Sequence, residues 1–178
     1  SSKILKAMRR TYNRDRYLER VAMIREAIPD LSLTTDIIVG FPGESEEDFE
    51  QTLSLAEEVQ FDAAYTFIYS PRRDTEAARM SELFVAPEIA SERIGRLIEV
   101  VQSGADKRAQ RFVGRSVEVL VEGHSRTNPD RLRGRSRHNK AVNFDGVASA
   151  GDVIDVEIES ASSTSLSGRA TLLASAAR

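Results

Sequence analysis

Four arginines at alternate positions, Arg131, Arg133, Arg135 and Arg137 in "RLRGRSR", are the densest chemistry in this sequence. If the stretch is extended, they project from one face at intervals of about 6.6 Å, twice the rise of a strand residue. Like charges so aligned repel unless an anion lies near, and a nucleic-acid backbone is the commonest polyanion that suits such a row. The same row could instead be an edge strand defended by charge. Arg126, His138, Asn139, Lys140 and Asn143 add hydrogen-bonding groups around it, and Asn and Arg can read or stack on exposed bases of RNA loops.

A second stretch, "TTDIIVGFPGESEEDF" at 34–49, runs from an apolar strand through two glycines into an acidic helix start. A strand, a glycine turn and a helix N-terminus are the usual parts of a phosphate loop. Here Ser45-Glu46-Glu47-Asp48 already complement the helix dipole and would repel a second anion. No Gly-Lys-Ser/Thr follows the strand either. The better reading is a neutral ligand edge over the strand's C-terminal end, where Gly40 and Gly43 permit close backbone approach. Asp36 is a carboxylate in the middle of that strand, so it needs a partner on a neighbouring element or a polar cavity. In "FDAAYTFIYS", Tyr65, Phe67 and Tyr69 fall on one strand face, a spacing read as core packing before a stacking platform.

Composition limits what else is possible. The chain has no cysteine and only two histidines, His124 and His138, which excludes disulfides, thiol nucleophiles and cysteine-held iron–sulfur clusters within it. No catalytic residue and no metal ligand set is assigned. No run approaches the roughly 18 apolar residues of a spanning helix, and the basic N-terminal segment lacks the apolar block of a secretory signal; a cytoplasmic setting without membrane partners is expected. The net charge of -3 hides an asymmetry: residues 124–140 hold six Lys/Arg against one Asp. Positive charge is concentrated in one place.

The elements that position these groups change character along the chain. Tyr17, Val21, Ile24 and Ile28 form the stripe of an amphipathic helix stopped at Pro29-Asp30. "LSLTTDIIVGF" reads as a buried strand. Ser45 with Asp48 resembles a capping box opening a helix with Phe49, Leu53 and Ala56 on its apolar face. "FDAAYTFIYS" is a second strand, and Pro87 opens a long helix with the stripe Ala90, Ile94, Leu97, Val101 and Ala105. Two strands each followed by a helix predict parallel pairing. After about residue 111 the pattern becomes short alternating strands, such as "SVEVLVE" and "VIDVEIE", separated by turns at Asn128-Pro129-Asp130 and Asp145-Gly146, as in a small antiparallel barrel. Two βα units cannot close a sheet around a core, so the first part reads as a piece of a larger α/β barrel.

Three stretches together resemble one family. "LKAMRRTYNRDRYLERVAMIREAIPDLSLTTDIIVGFPGESEEDFEQTL", "FIYSPRRDTEAARM" and "VEVLVEGHSRTNPDRLRGRSRHNKAVNF" look like the C-terminal half of the radical SAM tRNA methylthiotransferases, most closely the MiaB type. The resemblance implies that 1–111 is the C-terminal part of a β/α radical SAM barrel and 112–178 a TRAM domain, a small OB-like β-barrel that binds tRNA. It implies S-adenosylmethionine as cofactor and two 4Fe-4S clusters in the whole protein, whose six cysteine ligands would lie outside this chain. The implied reaction adds a methylthio group to carbon 2 of N6-isopentenyladenosine beside the anticodon. The implied partners are the tRNA anticodon stem-loop and the remainder of the longer chain.

By the same resemblance, Asp36, Ile38, Gly40, Phe41, Pro42 and Gly43 lie along the family's glycine motif, which contacts the cofactor's adenine. Arg10 matches an arginine that pairs with the cofactor's methionyl carboxylate, and Tyr69 and Ser70 fall at the cofactor rim. The looser superfamily motif has Gly where this chain has Asp36, and "SPRRDT" has Arg73-Asp74 where the family has Pro-Gly. The fragment is expected to be inactive alone. A stand-alone RNA-binding module with an α/β scaffold, or a methylthiotransferase acting on a ribosomal protein, are the competing readings.

Overall fold

A computed structural model of the chain describes residues 1–126 and 128–171; Thr127 and residues 172–178, all within the expected β domain, lie outside the described residues. The chain forms two compact units, one ending at Gly104 and the other beginning at Ala105.

The first unit opens with α1 (Ser2–Ala7) and α2 (Arg14–Ala27), for which the sequence supplies side-chain caps. The Ser1 hydroxyl accepts from the Ile4 N–H at 3.4 Å, and Asn13 Oδ1 accepts from the Arg16 N–H at 3.0 Å. Strand β1 (Thr34–Val39) follows, then α3 (Glu46–Val59), β2 (Ala63–Ile68) and α4 (Pro87–Ala109). β1 and β2 pair in parallel, with Asp36 opposite Tyr65 and Ile38 opposite Phe67. The expected capping box is present: Asp48 N–H donates to Ser45 Oγ at 3.2 Å, and Ser45 N–H donates back to Asp48 Oδ2 at 3.1 Å.

Helices cover one face of this two-stranded sheet. Val21 of α2, Phe49, Leu53, Ala56 and Val59 of α3, and Leu97 and Val101 of α4 bury against Val39 and Phe61. The other face is open, and it corrects three expectations. β1 is not a buried strand, since Thr34, Asp36 and Ile38 are exposed. The aromatic row of β2 is not core: Tyr65 is 75% and Phe67 49% exposed. Of the expected helical stripe only Tyr17 and Val21 pack into the core, beside Leu18, while Ile24 and Ile28 are exposed.

The second unit is a closed barrel in the order β3 (Ser116–His124), β4 (Leu132–Ser136), β5 (Ala141–Asp145), β7 (Ser165–Ala170), β6 (Val153–Ala161), with β6 pairing back onto β3. Four seams are antiparallel; β5 and β7 run parallel. Alternation fills the interior as the sequence predicts, with Val117, Val119, Val121, Val142, Phe144, Val156, Ile158 and Leu166 buried around Phe112. Two glycines let the small ring shut. A Cβ at Gly134 would lie 2.4 Å from the Leu120 carbonyl oxygen, and one at Gly168 would lie 1.9 Å from that of Glu157; no side chain fits at such distances. No helix among the described residues is long and apolar enough to cross a membrane.

Candidate functional site

The barrel presents the arginine row. Arg133 and Arg135 alternate with Leu132, Gly134 and Ser136 on β4, so their side chains point outward while the intervening positions are buried. β4 pairs on both sides, with β3 and β5, so the edge-strand explanation of the row is overturned: a closed ring has no edge there.

The row is also not the bare cationic stripe that its spacing implied. Arg131 Nε lies 3.0 Å from Asp145 Oδ1, and its Nη2 donates to Asn143 O, Ser167 Oγ and Gly168 O at 3.1–3.2 Å. This arginine ties β4 to β5 and β7. Arg135 Nε is 3.2 Å and Arg133 Nε 3.7 Å from the Glu122 carboxylate, and Arg137 Nε is 2.6 Å from Glu118 Oε1. These pairs are solvent-exposed, and exposed ion pairs hold weakly, so a polyanion can replace them.

The neighbouring residues divide. Arg126 and Asn139 are exposed, and Asn139 adopts φ 58° in the β4–β5 turn, where its carbonyl accepts from Arg135 Nη1 at 3.3 Å. Asn143 is half-buried on the outer side of β5. Two expected contact residues are turned inward. His138 packs edge-on against Phe112 with ring centroids 4.8 Å apart, and Lys140 is buried with its Nζ donating to Ser163 O at 3.1 Å.

In the first unit, Arg10, Asp36 and Ile38 come together on one cavity of about 160 Å³, with Tyr12, Tyr17 and Glu44 among its other lining residues. Thr35, Asp36, Ile37 and Ile38 all line it. Consecutive strand residues alternate faces, so the cavity runs along the edge of β1 rather than over one face. Gly40, Phe41, Pro42, Gly43, Tyr69 and Ser70 lie outside that lining, beyond the C-terminal ends of the two strands. There Tyr69 N–H donates to Val39 O at 2.8 Å, and Tyr69 stacks edge-on between Phe41 and Phe84.

The glycine turn is built as the acidic sequence requires. Gly40 and Gly43 take φ 72° and 80°, a region that penalises any side chain. Gly40 N–H, which a phosphate would claim, donates instead to Glu44 Oε2 at 3.0 Å. Burial raises the Glu44 pKa, although Gly40 N–H and the Arg93 guanidinium oppose the rise. Arg93 of α4 donates to Glu44 Oε1 at 3.0 Å and to Glu44 O at 3.1 Å, and pairs with Glu46 at 3.2 Å. The Glu44–Arg93 pair escaped the sequence reading. A signal was present, because Arg93 sits between Ala90 and Leu97 on the apolar stripe of α4, where a charge must have a buried partner.

Comparison with known proteins finds two separate family matches. Residues 1–56, which run from α1 into α3, match the Radical SAM superfamily, and residues 110–171 match the TRAM domain. The tRNA-2-methylthio-N(6)-dimethylallyladenosine synthase of Bacillus licheniformis is 54% identical over 169 residues, covering 94% of this chain and 33% of that protein. Proteins of the same name from Geobacillus thermodenitrificans and Bacillus subtilis are 53% and 51% identical, covering 94% of this chain and 32% and 33% of theirs. The chain spans about a third of the length of the curated relatives it matches. The chain thus carries a match to the Radical SAM superfamily followed by a match to the TRAM domain, and it is similar to part of the tRNA-2-methylthio-N(6)-dimethylallyladenosine synthases.

Proposed function

We propose that this chain supplies part of the S-adenosylmethionine site and the RNA-docking surface of a tRNA methylthiotransferase. The enzyme adds a methylthio group to carbon 2 of N6-isopentenyladenosine next to the anticodon. The α/β part, 1–111, completes its sheet with strands from the remainder of a longer protein, whose cysteines hold two 4Fe-4S clusters. The β part, 112–178, grips the anticodon stem-loop. The present chain contains no cysteine and by itself is inactive.

The residues fit the cofactor's chemistry. An amino-acid zwitterion offers a carboxylate and an ammonium group, and Arg10, Asp36 and the apolar Ile38 face one cavity that takes part of so large a ligand. A guanidinium fork matches a carboxylate in two parallel hydrogen bonds. Glu44, by taking Gly40 N–H, leaves the glycine turn suited to a neutral edge such as adenine. Bound there, S-adenosylmethionine would supply the methyl group and the radical source.

The observation that carries the RNA part is the barrel's connectivity. Its strand order and its one parallel seam are those of an OB-like ring, in which the second and third strands and the loops beside them bind oligonucleotides. Here those strands are β4 and β5, which display Arg133, Arg135 and Asn143. The test is binding to an anticodon stem-loop with and without the isopentenyl group, at two salt concentrations. Arg133→Ala and Arg135→Ala should weaken binding and flatten its salt dependence; unchanged affinity would overturn the reading. Reconstitution with iron and sulfide that yielded product from this polypeptide alone would overturn the claim of inactivity.

A further inference from the structure

Glu122 holds a place that the sequence alone gives it no reason to hold. β3 and β4 pair with Val121 opposite Gly134 and Gly123 opposite Arg133, so Glu122 is the extra residue of a β-bulge. A bulge re-aims the side chain of its unpaired residue, and Gly123, at φ 126°, provides the backbone turn. The re-aimed carboxylate lies between two arginines that flank Gly134: Oε1 is 3.2 Å from Arg135 Nε and Oε2 is 3.7 Å from Arg133 Nε. One anion with two oxygens, each facing a different guanidinium, has the charge and the donor-facing pattern of a phosphodiester.

We infer that Glu122 is a built-in stand-in for an RNA phosphate, which holds Arg133 and Arg135 in register and is displaced when the RNA backbone binds between them. This rests on the RNA-docking reading above. The contacts favour exchange. All three side chains are about 40% exposed, so water can reach the pair and no buried charge is stranded when the carboxylate swings out. Arg131 makes the contrast, since it is tied by four acceptors on two strands, β5 and β7, and is not free to turn toward a ligand. The consequence is a threshold: RNA that places a phosphate at this point recovers two arginines, whereas a poorly fitted strand must compete with a tethered carboxylate.

The experiment compares the chain, its Glu122→Gln and Glu157→Gln variants and the double variant Glu122→Gln/Arg135→Ala in binding to an anticodon stem-loop RNA across a salt series. Glu157 is an exposed carboxylate on β6, a strand that does not pair with β4, so it reports the effect of losing any one negative charge. Glu122→Gln should bind about fivefold more tightly at low salt, with a salt slope steeper by up to about one. Glu157→Gln should change little, and the double variant should lose the gain. Equal gains from Glu122→Gln and Glu157→Gln, or weaker binding by Glu122→Gln, would overturn the inference while leaving RNA docking intact. Absence of binding by both the unaltered chain and Glu122→Gln would overturn RNA docking itself. Thermal melts of each variant separate these outcomes from a folding defect.

Discussion

Arg93 holds the glycine turn from behind, and its removal would leave the Glu44 carboxylate buried without its cation. The pair is nearly inaccessible, with side chains 5% and 3% exposed, and breaking such a pair from one side costs about 3–5 kcal/mol. Arg93→Ala should therefore lower the stability of the chain by that order in urea unfolding, and Arg93→Ala/Glu44→Gln should recover part of it. The deficit should also shrink as pH falls. Burial raises the Glu44 pKa in the folded state, so acid protonates this carboxylate in the fold before it does so in the unfolded chain, and the uncompensated charge disappears. Residue types and spacing foretold the outward arginines of β4, whereas Asp36, expected to need a partner, lies exposed on an open strand face. They did not foretell that Glu118, Glu122 and Asp145 stand against the arginines, because those partners come from other strands and one of them is aimed by a bulge. His138 and Lys140 were misplaced for a related reason: polar type suggests exposure, but each stem or ring packs inward here.

Among the elements, α3 is the most completely specified by its own sequence. Its capping box is extended by Ser1 Oγ, 2.7 Å from Asp48 Oδ1, and by the Lys3 ammonium. Burial acts to raise the Asp48 pKa, but hydrogen bonds from Lys3, Ser1 and Ser45 outweigh it and hold the carboxyl well below the usual range. A depressed carboxyl contributes stability that is fully present above its unfolded value of about 3.9 and is lost as pH falls toward the folded value. Asp48→Asn should cost about 1–2 kcal/mol at neutral pH, and the difference from the unaltered chain should close below about pH 4, as read by urea unfolding at stepped pH. Periodicity placed the helices and strands well because each buries one stripe. It failed on the C-terminal half of α2 and on the open side of β2, where apolar residues repeat at core spacing with no layer above them among the described residues.

At the scale of the whole chain, the two units treat their sheet surfaces in opposite ways. The α/β unit exposes Ile38, Tyr65, Phe67 and Ile68 on a sheet of only two strands, and an open apolar face with unpaired edges invites association. Sedimentation of the 178-residue chain should show concentration-dependent self-association. Tyr65→Glu/Phe67→Lys should reduce it without lowering the melting temperature, because neither side chain is part of the core. Sequence rhythm distinguished the two units, βα repeats against short alternating strands, but the parallel β5–β7 seam was out of its reach, since pairing partners far apart in the chain leave no local mark. That seam also governs how the protein can be made. β7 is the last strand of the ring in sequence, and it fills the gap between β5 and β6. A ribosome adding roughly 5–20 residues per second must therefore extrude the nascent barrel for several seconds as an unsealed meander, until Ala170 emerges and the ring can lock.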